Sequence, residues 1–241
     1  MKTTNLRQLL KKIRSIGTFW VAEHTLEHLQ AIRTYELDVV LKMLPHRGRL
    51  LEIGAGTGWQ AQTLEKKGYD VSAIDLPSSG YLENRVWPIT DYDGKIIPFQ
   101  DNTFDIVFSS NVLEHVPHVY EFQKEIHRVL KPDGYVIHVL PSSSWRFWTN
   151  ITYILKFWFP SSAHGEHAGN SLMEIYYFSR RWWTQLFLKT GWDILTQDTN
   201  GLFYTGCAIM GSRFSIGLRR KLSRVGGGAC NIFVMRKRGN A

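Results

Sequence analysis

At 241 residues the chain is long enough to bury one large α/β core and short for two independent domains. Two cysteines, Cys207 and Cys230, lie far apart and match no disulfide, redox or zinc spacing, which excludes a disulfide-stapled scaffold and a cysteine-built metal site. The net charge of +8 gathers at one end: after Asp198 there is no acidic residue, while Arg213, Arg219, Arg220, Lys221, Arg224, Arg236, Lys237 and Arg238 supply eight cations, a patch that suits nucleic acid, anionic lipid or a phosphorylated substrate without choosing among them.

Leu6, Leu9, Leu10, Ile13 and Ile16 recur at helical spacing with Arg7, Lys11, Lys12 and Arg14 between them, which predicts a basic amphipathic helix. Its cations are scattered, and it lacks the apolar block of a secretory signal. It is expected to dock on the domain, with membrane or partner contact as the alternative. Residues 18–44 continue at helical period up to Pro45. Within them "HTLEH", His24 to His28, fits a helical H-x-x-E-H zinc motif, but no third ligand stands nearby and no metal site is expected.

"RLLEI" then predicts a short strand, followed by a helix from about Gly58 to Lys67, a stop at Gly68 and a second strand, "DVSAI". Residues 78–102 read as loop and short elements. "FDIVFSS" is a buried strand, "VYEFQKEIHRVL" a helix stopped by "KPDG", and "YVIHVL" another strand. After Pro141 aromatics crowd the chain, as in "WRFWTNITYILKFWF"; six of the nine tryptophans fall between Trp145 and Trp192, so an insertion or cap on the sheet is expected. "SRRWWTQLFLKTGWDILT" predicts helix, glycine stop and strand, and "GACNIFVMRKR" a closing strand after a basic loop. Alternation of this kind belongs to an α/β fold, a doubly wound sheet with helices on both faces. One domain is expected over 1–241: N-terminal helices over 1–45, a ligand-binding core over 46–141, an aromatic cap over 142–178, and a helix and strands completing the sheet over 179–241.

A strand ending in Gly54-Ala55-Gly56-Thr57-Gly58 lets the backbone turn sharply and approach a ligand, with the amides of the next helix aimed at it. Asp75, at the end of the second strand, is placed to accept from two vicinal ribose hydroxyls. The dinucleotide fingerprint G-x-G-x-x-G is missed by one residue, and Glu52 in the first strand would oppose a pyrophosphate while suiting a cationic amino or sulfonium group. The pattern favours S-adenosylmethionine (SAM) over a nicotinamide dinucleotide.

Four blocks, "LEIGAGTG", "AIDL", "DGKIIPFQDNTFDIVFSSNVLEHV" and "HRVLKPDGYVIHVL", resemble in order and spacing the class I SAM-dependent methyltransferases, specifically the branch that methylates small molecules. The resemblance covers about residues 48–141. It implies a Rossmann-like seven-stranded sheet, six strands parallel and one, near "CNIFVMRKR", antiparallel. It also implies that Glu52, Gly54, Ala55, Gly56 and Gly58 surround the methionine part of SAM, that Asp75 holds the ribose and Leu76 packs on adenine, and that Asp93, with Tyr92 beside it, meets the adenine amino group; Asp91 is the alternative to Asp93. Ser109, Ser110 and Asn111 would face the SAM amino group.

Methyl transfer is an in-line displacement in which alignment matters most, and a base is needed only where the acceptor must lose a proton. His115, just past the fourth strand, is the candidate catalytic residue, against a capping or packing role. His164 and His167 read as solvated loop that could reach the acceptor, and His138 as buried structure. The chain reads "SSNVLEHV" where amino-methylating enzymes for adenine or glutamine resemble one another in a D/N-P-P-Y/F turn, and neither cysteine falls in a motif block, which argues against cytosine-C5 chemistry. The expected reaction is methylation of an oxygen or nitrogen of a small acceptor, with glycan or lipid-linked acceptors included. The aromatic segment, interrupted by Arg146, Asn150 and Lys156, is too polar to span a membrane and reads as a lid or an interfacial helix. The rival readings are a nicotinamide-dependent oxidoreductase or epimerase, a non-catalytic SAM-binding protein, and an RNA methyltransferase that uses the basic tail as a phosphate clamp. A cytoplasmic protein is expected, with peripheral contact at the inner membrane face as the alternative.

Overall fold

The structure, a computed structural model, describes residues 25–45, 47–157, 159, 161–206 and 213–239. The amphipathic pattern at residues 6–16, His24 of the "HTLEH" motif and Cys207 lie outside the described residues. Helix α1 (Leu26–Leu41) opens on Thr25, whose side chain accepts from the His28 amide. The strands are β1 (Arg49–Ile53), β2 (Asp70–Asp75), β3 (Thr90–Asp91), β4 (Phe104–Ser110), β5 (Leu130–Pro141), β6 (Trp192–Thr199) and β7 (Cys230–Lys237). They form one seven-stranded sheet in the order β3-β2-β1-β4-β5-β7-β6. Neighbours from β3 to β5 pair in parallel, and β7 runs antiparallel between β5 and β6, the mixed arrangement that the resemblance implies.

Period-2 alternation sends successive strand residues to opposite faces, and each face acquires its own helical layer. Leu51, Ile53, Val107, Val136 and Phe233 point toward α3 (Val119–Val129) and α6 (Arg180–Lys189), meeting Phe122, Ile126, Trp183 and Phe187. Leu50, Ile106, Phe108, Ile137 and Ile232 point the other way, onto Ile32, Leu37 and Val40 of α1 and Leu64 of α2 (Trp59–Lys66). Burial on both faces explains why these strands read as continuous apolar runs.

Two expectations change. The "KPDG" tetrad is no simple stop: Leu130 already pairs with Phe104, and pairing resumes only at Tyr135 with Ile106, so the tetrad forms an irregularity inside β5. The basic stretch expected as a loop is instead helix α7 (Ile216–Gly226), opened by Ser215, which accepts from the Leu218 amide.

The aromatic cap is built on α4 (Ser143–Phe157) and the single turn α5 (Glu174–Tyr177). Helix α4 is inverted relative to an ordinary surface helix. Its buried side chains include Arg146, Thr149, Asn150 and Thr152, while Phe147, Ile154, Leu155 and Phe157 are exposed. No helix among the described residues is long and apolar enough to cross a membrane.

Candidate active site

The site forms at the carboxyl ends of β1, β2 and β4, where Ile53 pairs with both Ile74 and Ser109. The turn after β1 holds Gly54, Gly56 and Gly58 at φ of +71°, +57° and +78°, a region that side chains other than glycine rarely adopt. At Gly54 the need is also steric, because a Cβ there would fall 2.3 Å from Val112 Cγ2. Asp75 braces the turn: its Oδ2 accepts from the Gly56 amide and its Oδ1 from the Leu76 amide, each at 2.8 Å.

Two cavities open here. The smaller, of about 350 Å³, is walled by Asp75, Leu76, Tyr92, Asp93 and the 116–118 segment; the larger, of about 470 Å³, by Ala55, Ser110, Trp145, His164, Arg33, Tyr204 and Cys230 among others. Gly54, Gly56, Tyr81, Asn111 and His115 line both, so the cavities meet over the glycine turn. Asp93 Oδ1 accepts from the Lys95 and Ile96 amides at 2.8 Å, and those two bonds, first the Ile96 one, hold its pKa below the usual carboxylate range. Asp91, the alternative to Asp93, lines neither cavity and is paired with Arg85 at 2.7 Å.

Three residues expected at the cofactor line neither cavity. Ser109 is buried, hydrogen-bonded to His138 Nδ1 at 2.7 Å, on the α3–α6 face of the sheet. Gly58 packs against Trp87, whose Cβ would lie 2.9 Å from an added Cβ. Glu52 is buried on the α1–α2 face, and burial, aided by the nearby Asp75 charge, pushes its pKa up to about 8 against the opposing Ala61 amide. His138 is buried as expected, and burial lowers its pKa to about 3.

The histidines on the rim are less dispersed than a solvated loop implies. Glu114 and His115 belong to a 3₁₀ turn after β4, and the 164–167 segment of the cap is strapped onto it. The Glu166 amide donates to Glu114 O at 2.8 Å, and His167 Nε2 lies 3.1 Å from Leu113 O. From the other side, Glu174 Oε1 accepts the amides of His164 and Gly165 at 2.6 Å, while its Oε2 pairs with Arg146 Nε at 2.7 Å in a fully buried ion pair. This pair explains the polar inner face of α4. The result sets the His115 and His164 rings 4.7 Å apart, with Trp145 against His164. Burial lowers the pKa of both imidazoles, that of His164 to about 4 with the His115 and Arg146 charges adding, so both are neutral near pH 7.

Arg33, Tyr204, Cys230, Tyr81, Trp145 and Glu114 carried no signal that singled them out. The first three meet through Glu36, whose Oε2 takes Arg33 at 2.8 Å and whose Oε1 takes the Tyr204 hydroxyl and Asn200 at 2.6 Å and the Cys230 thiol at 3.7 Å, forming a polar floor that is buried except at the partly exposed Arg33. Burial, and then the Glu36 charge, pushes the Cys230 thiol well above its usual range, which leaves it a poor nucleophile.

Among known proteins, the methyltransferase-domain family matches residues 21–197. The chain is 29% identical over 137 residues to the biotin biosynthesis bifunctional protein BioHC of Cellvibrio japonicus (strain Ueda107), covering 54% of this chain and 27% of that protein. It is 32% identical over 107 residues to the glycine/sarcosine/dimethylglycine N-methyltransferase of Actinopolyspora halophila, covering 40% and 19%. The chain thus spans less than half the length of these relatives. A solved S-adenosylmethionine-dependent methyltransferase from Mesorhizobium loti shares the fold, with a TM-score of 0.58 at 16% identity over 84% of this chain and 98% of that one. The family match takes in the glycine turn, the Asp75 strand end and the Glu114–His115 turn together, and on it the chain belongs to the methyltransferase-domain family, class I enzymes whose methyl donor is S-adenosylmethionine.

Proposed function

We propose that this chain transfers a methyl group from SAM to an oxygen or nitrogen atom of a small acceptor, with the donor in the smaller cavity and the acceptor in the larger. The observation that carries this reading is the meeting of the two cavities over Gly54, Gly56, Asn111 and His115. Bound there, SAM supplies an electrophilic methyl on a sulfonium, and what the protein adds is alignment and exclusion of water. Gly54 and Gly56 admit close approach of the backbone. Asp75, pre-oriented by two amides, keeps lone pairs for the ribose hydroxyls. Asp93 Oδ2 serves an exocyclic amine, between the walls of Leu76 and Tyr92. His115, on both cavities, is the side chain best placed to handle a proton leaving the acceptor.

The test is calorimetry with SAM and its demethylated product, S-adenosylhomocysteine, followed by methyl transfer from labelled SAM to candidate hydroxyl and amine compounds. Absence of binding by either form overturns the reading; binding without turnover on any acceptor supports the non-catalytic alternative.

A second reading concerns where the acceptor is met. Helix α4 exposes Phe147, Ile154, Leu155 and Phe157, and its Trp148 is tied to the end of α7 by a hydrogen bond to Gly226 O at 3.0 Å. Helix α7 carries exposed Arg220, Lys221 and Arg224. An apolar face beside a cationic one suits the interface of an anionic bilayer and an amphiphilic acceptor. Flotation with anionic liposomes, lost at high salt, supports this; no association with them removes it, and salt-steep binding of RNA would move the basic helix to a nucleic-acid role.

A further inference from the structure

Glu114 is the most conspicuous group that methyl transfer, as described so far, does not use. It is fully buried, and neither carboxylate oxygen has a hydrogen-bond partner among the described residues. A buried, unpartnered carboxylate is costly unless something satisfies it. Two side chains of ligand type lie close to it: Oε1 is 3.9 Å from His115 Nε2, and donor atoms of Glu114, His115 and His164 all fall within 4.8 Å of one another.

We propose that Glu114, His115 and His164 form a binding site for a divalent transition-metal ion on the wall of the larger cavity, with an open position for the acceptor's hydroxyl oxygen. This deepens the methyltransferase reading and rests on it. Two imidazoles and one carboxylate with room left over is the donor set of catalytic, not structural, zinc sites and of related transition-metal sites. The site is prearranged. The strap from Glu166 to Glu114 and the buried Arg146–Glu174 pair fix the backbone on which His164 rides, so the histidine is held against the turn from a distant part of the chain. A cation at this position acidifies a hydroxyl bound to it. The hydroxyl proton leaves to solvent, an O–C bond forms to the methyl, and the C–S bond breaks with its electron pair returning to sulfur, giving a methyl ether and the neutral thioether. The proposal therefore favours a hydroxyl acceptor over an amine, which needs no such activation.

The experiment titrates chelator-treated full-length protein with Co²⁺, followed by visible absorption, and with Zn²⁺ by calorimetry. One equivalent is expected, with affinity lowered ~100-fold or more in both Glu114→Gln and His164→Ala. Gln preserves the shape of the buried side chain, and His164 stands on the rim, so at least one variant keeps the fold, checked by its melting temperature. Binding of S-adenosylhomocysteine is measured on the same samples. Intact nucleoside binding with no metal uptake, or uptake unchanged in both variants, overturns the metal site and leaves the methyltransferase reading standing. Metal uptake without nucleoside binding does the reverse.

Discussion

At single residues, the decisive features are backbone conformations and desolvated charges. Asp75 is pinned by two amides at 2.8 Å, so it presents its remaining lone pairs in a fixed direction. Asp75→Ala is expected to weaken S-adenosylhomocysteine binding ~10- to 100-fold, the value of losing a charge-assisted hydrogen bond, read by calorimetry. Full affinity in the variant would move the ribose elsewhere. Glu52 yields a pH dependence. Its folded pKa of about 8 stands above the ordinary 4.5, so folding takes up a proton between those values. Its contribution is fully present below pH 4.5 and declines by ~1.4 kcal/mol per pH unit as pH rises, until about 8. Glu52→Gln should melt like the parent at pH 4 and above it at pH 8, and a constant difference across that range would refute the buried-carboxyl account. Neither feature required the whole chain to be suspected: the glycine spacing and the strand-end aspartate are local. The direction in which Glu52 points was not legible, because alternation places a side chain on a face without saying what covers that face.

Elements were legible where their signals were local and in agreement. β1, the glycine turn, α2 and β2 appear at their expected positions because apolar periodicity and glycine punctuation coincide there. α7 was misread because Gly217 and the glycines at 226–228 suggest a loop, while the charge spacing that favours a helix is also that of a solvated loop. α4 shows the limit most clearly: its apolar residues suggest burial, yet Arg146, Thr149 and Asn150 are inside because Glu174 and the 161–171 backbone need partners. Breaking such a pair leaves one uncompensated buried charge. Glu174→Ala should therefore cost ~3–5 kcal/mol in denaturant unfolding and free the His164 segment. Methyl transfer should fall further than S-adenosylhomocysteine affinity, since that segment lines only the larger cavity. Equal losses in both would place the segment on the donor side.

Across the whole molecule, one carboxylate of α1 reaches the far end of the chain, beside the hydrogen bond from Arg219 Nε to His28 Nε2 at 3.0 Å. Glu36 bonds Asn200 and Tyr204, residues 164 and 168 positions away, and holds Arg33 at the edge of the larger cavity. Glu36→Ala removes the acceptor that the buried Tyr204 hydroxyl and Asn200 amide share, and at ~1–3 kcal/mol for each buried hydrogen bond lost the melting temperature should drop by ~10 °C, measured by calorimetric melting. A drop of a degree or less would show that the Glu36 bonds contribute little and that apolar packing holds α1 on the sheet. The sequence by itself determined the alternating architecture, the donor-binding turn and the methyltransferase blocks, because each depends on periodicity and spacing within a few dozen residues. Only the tertiary structure decided which side chains face the acceptor: Glu114 beside His164, Arg33 beside Tyr204, and a helix with its polar side inward. Those meetings are set by sheet order and by loops that close over long separations, and no local pattern in the chain encodes which distant partner a buried polar group will find.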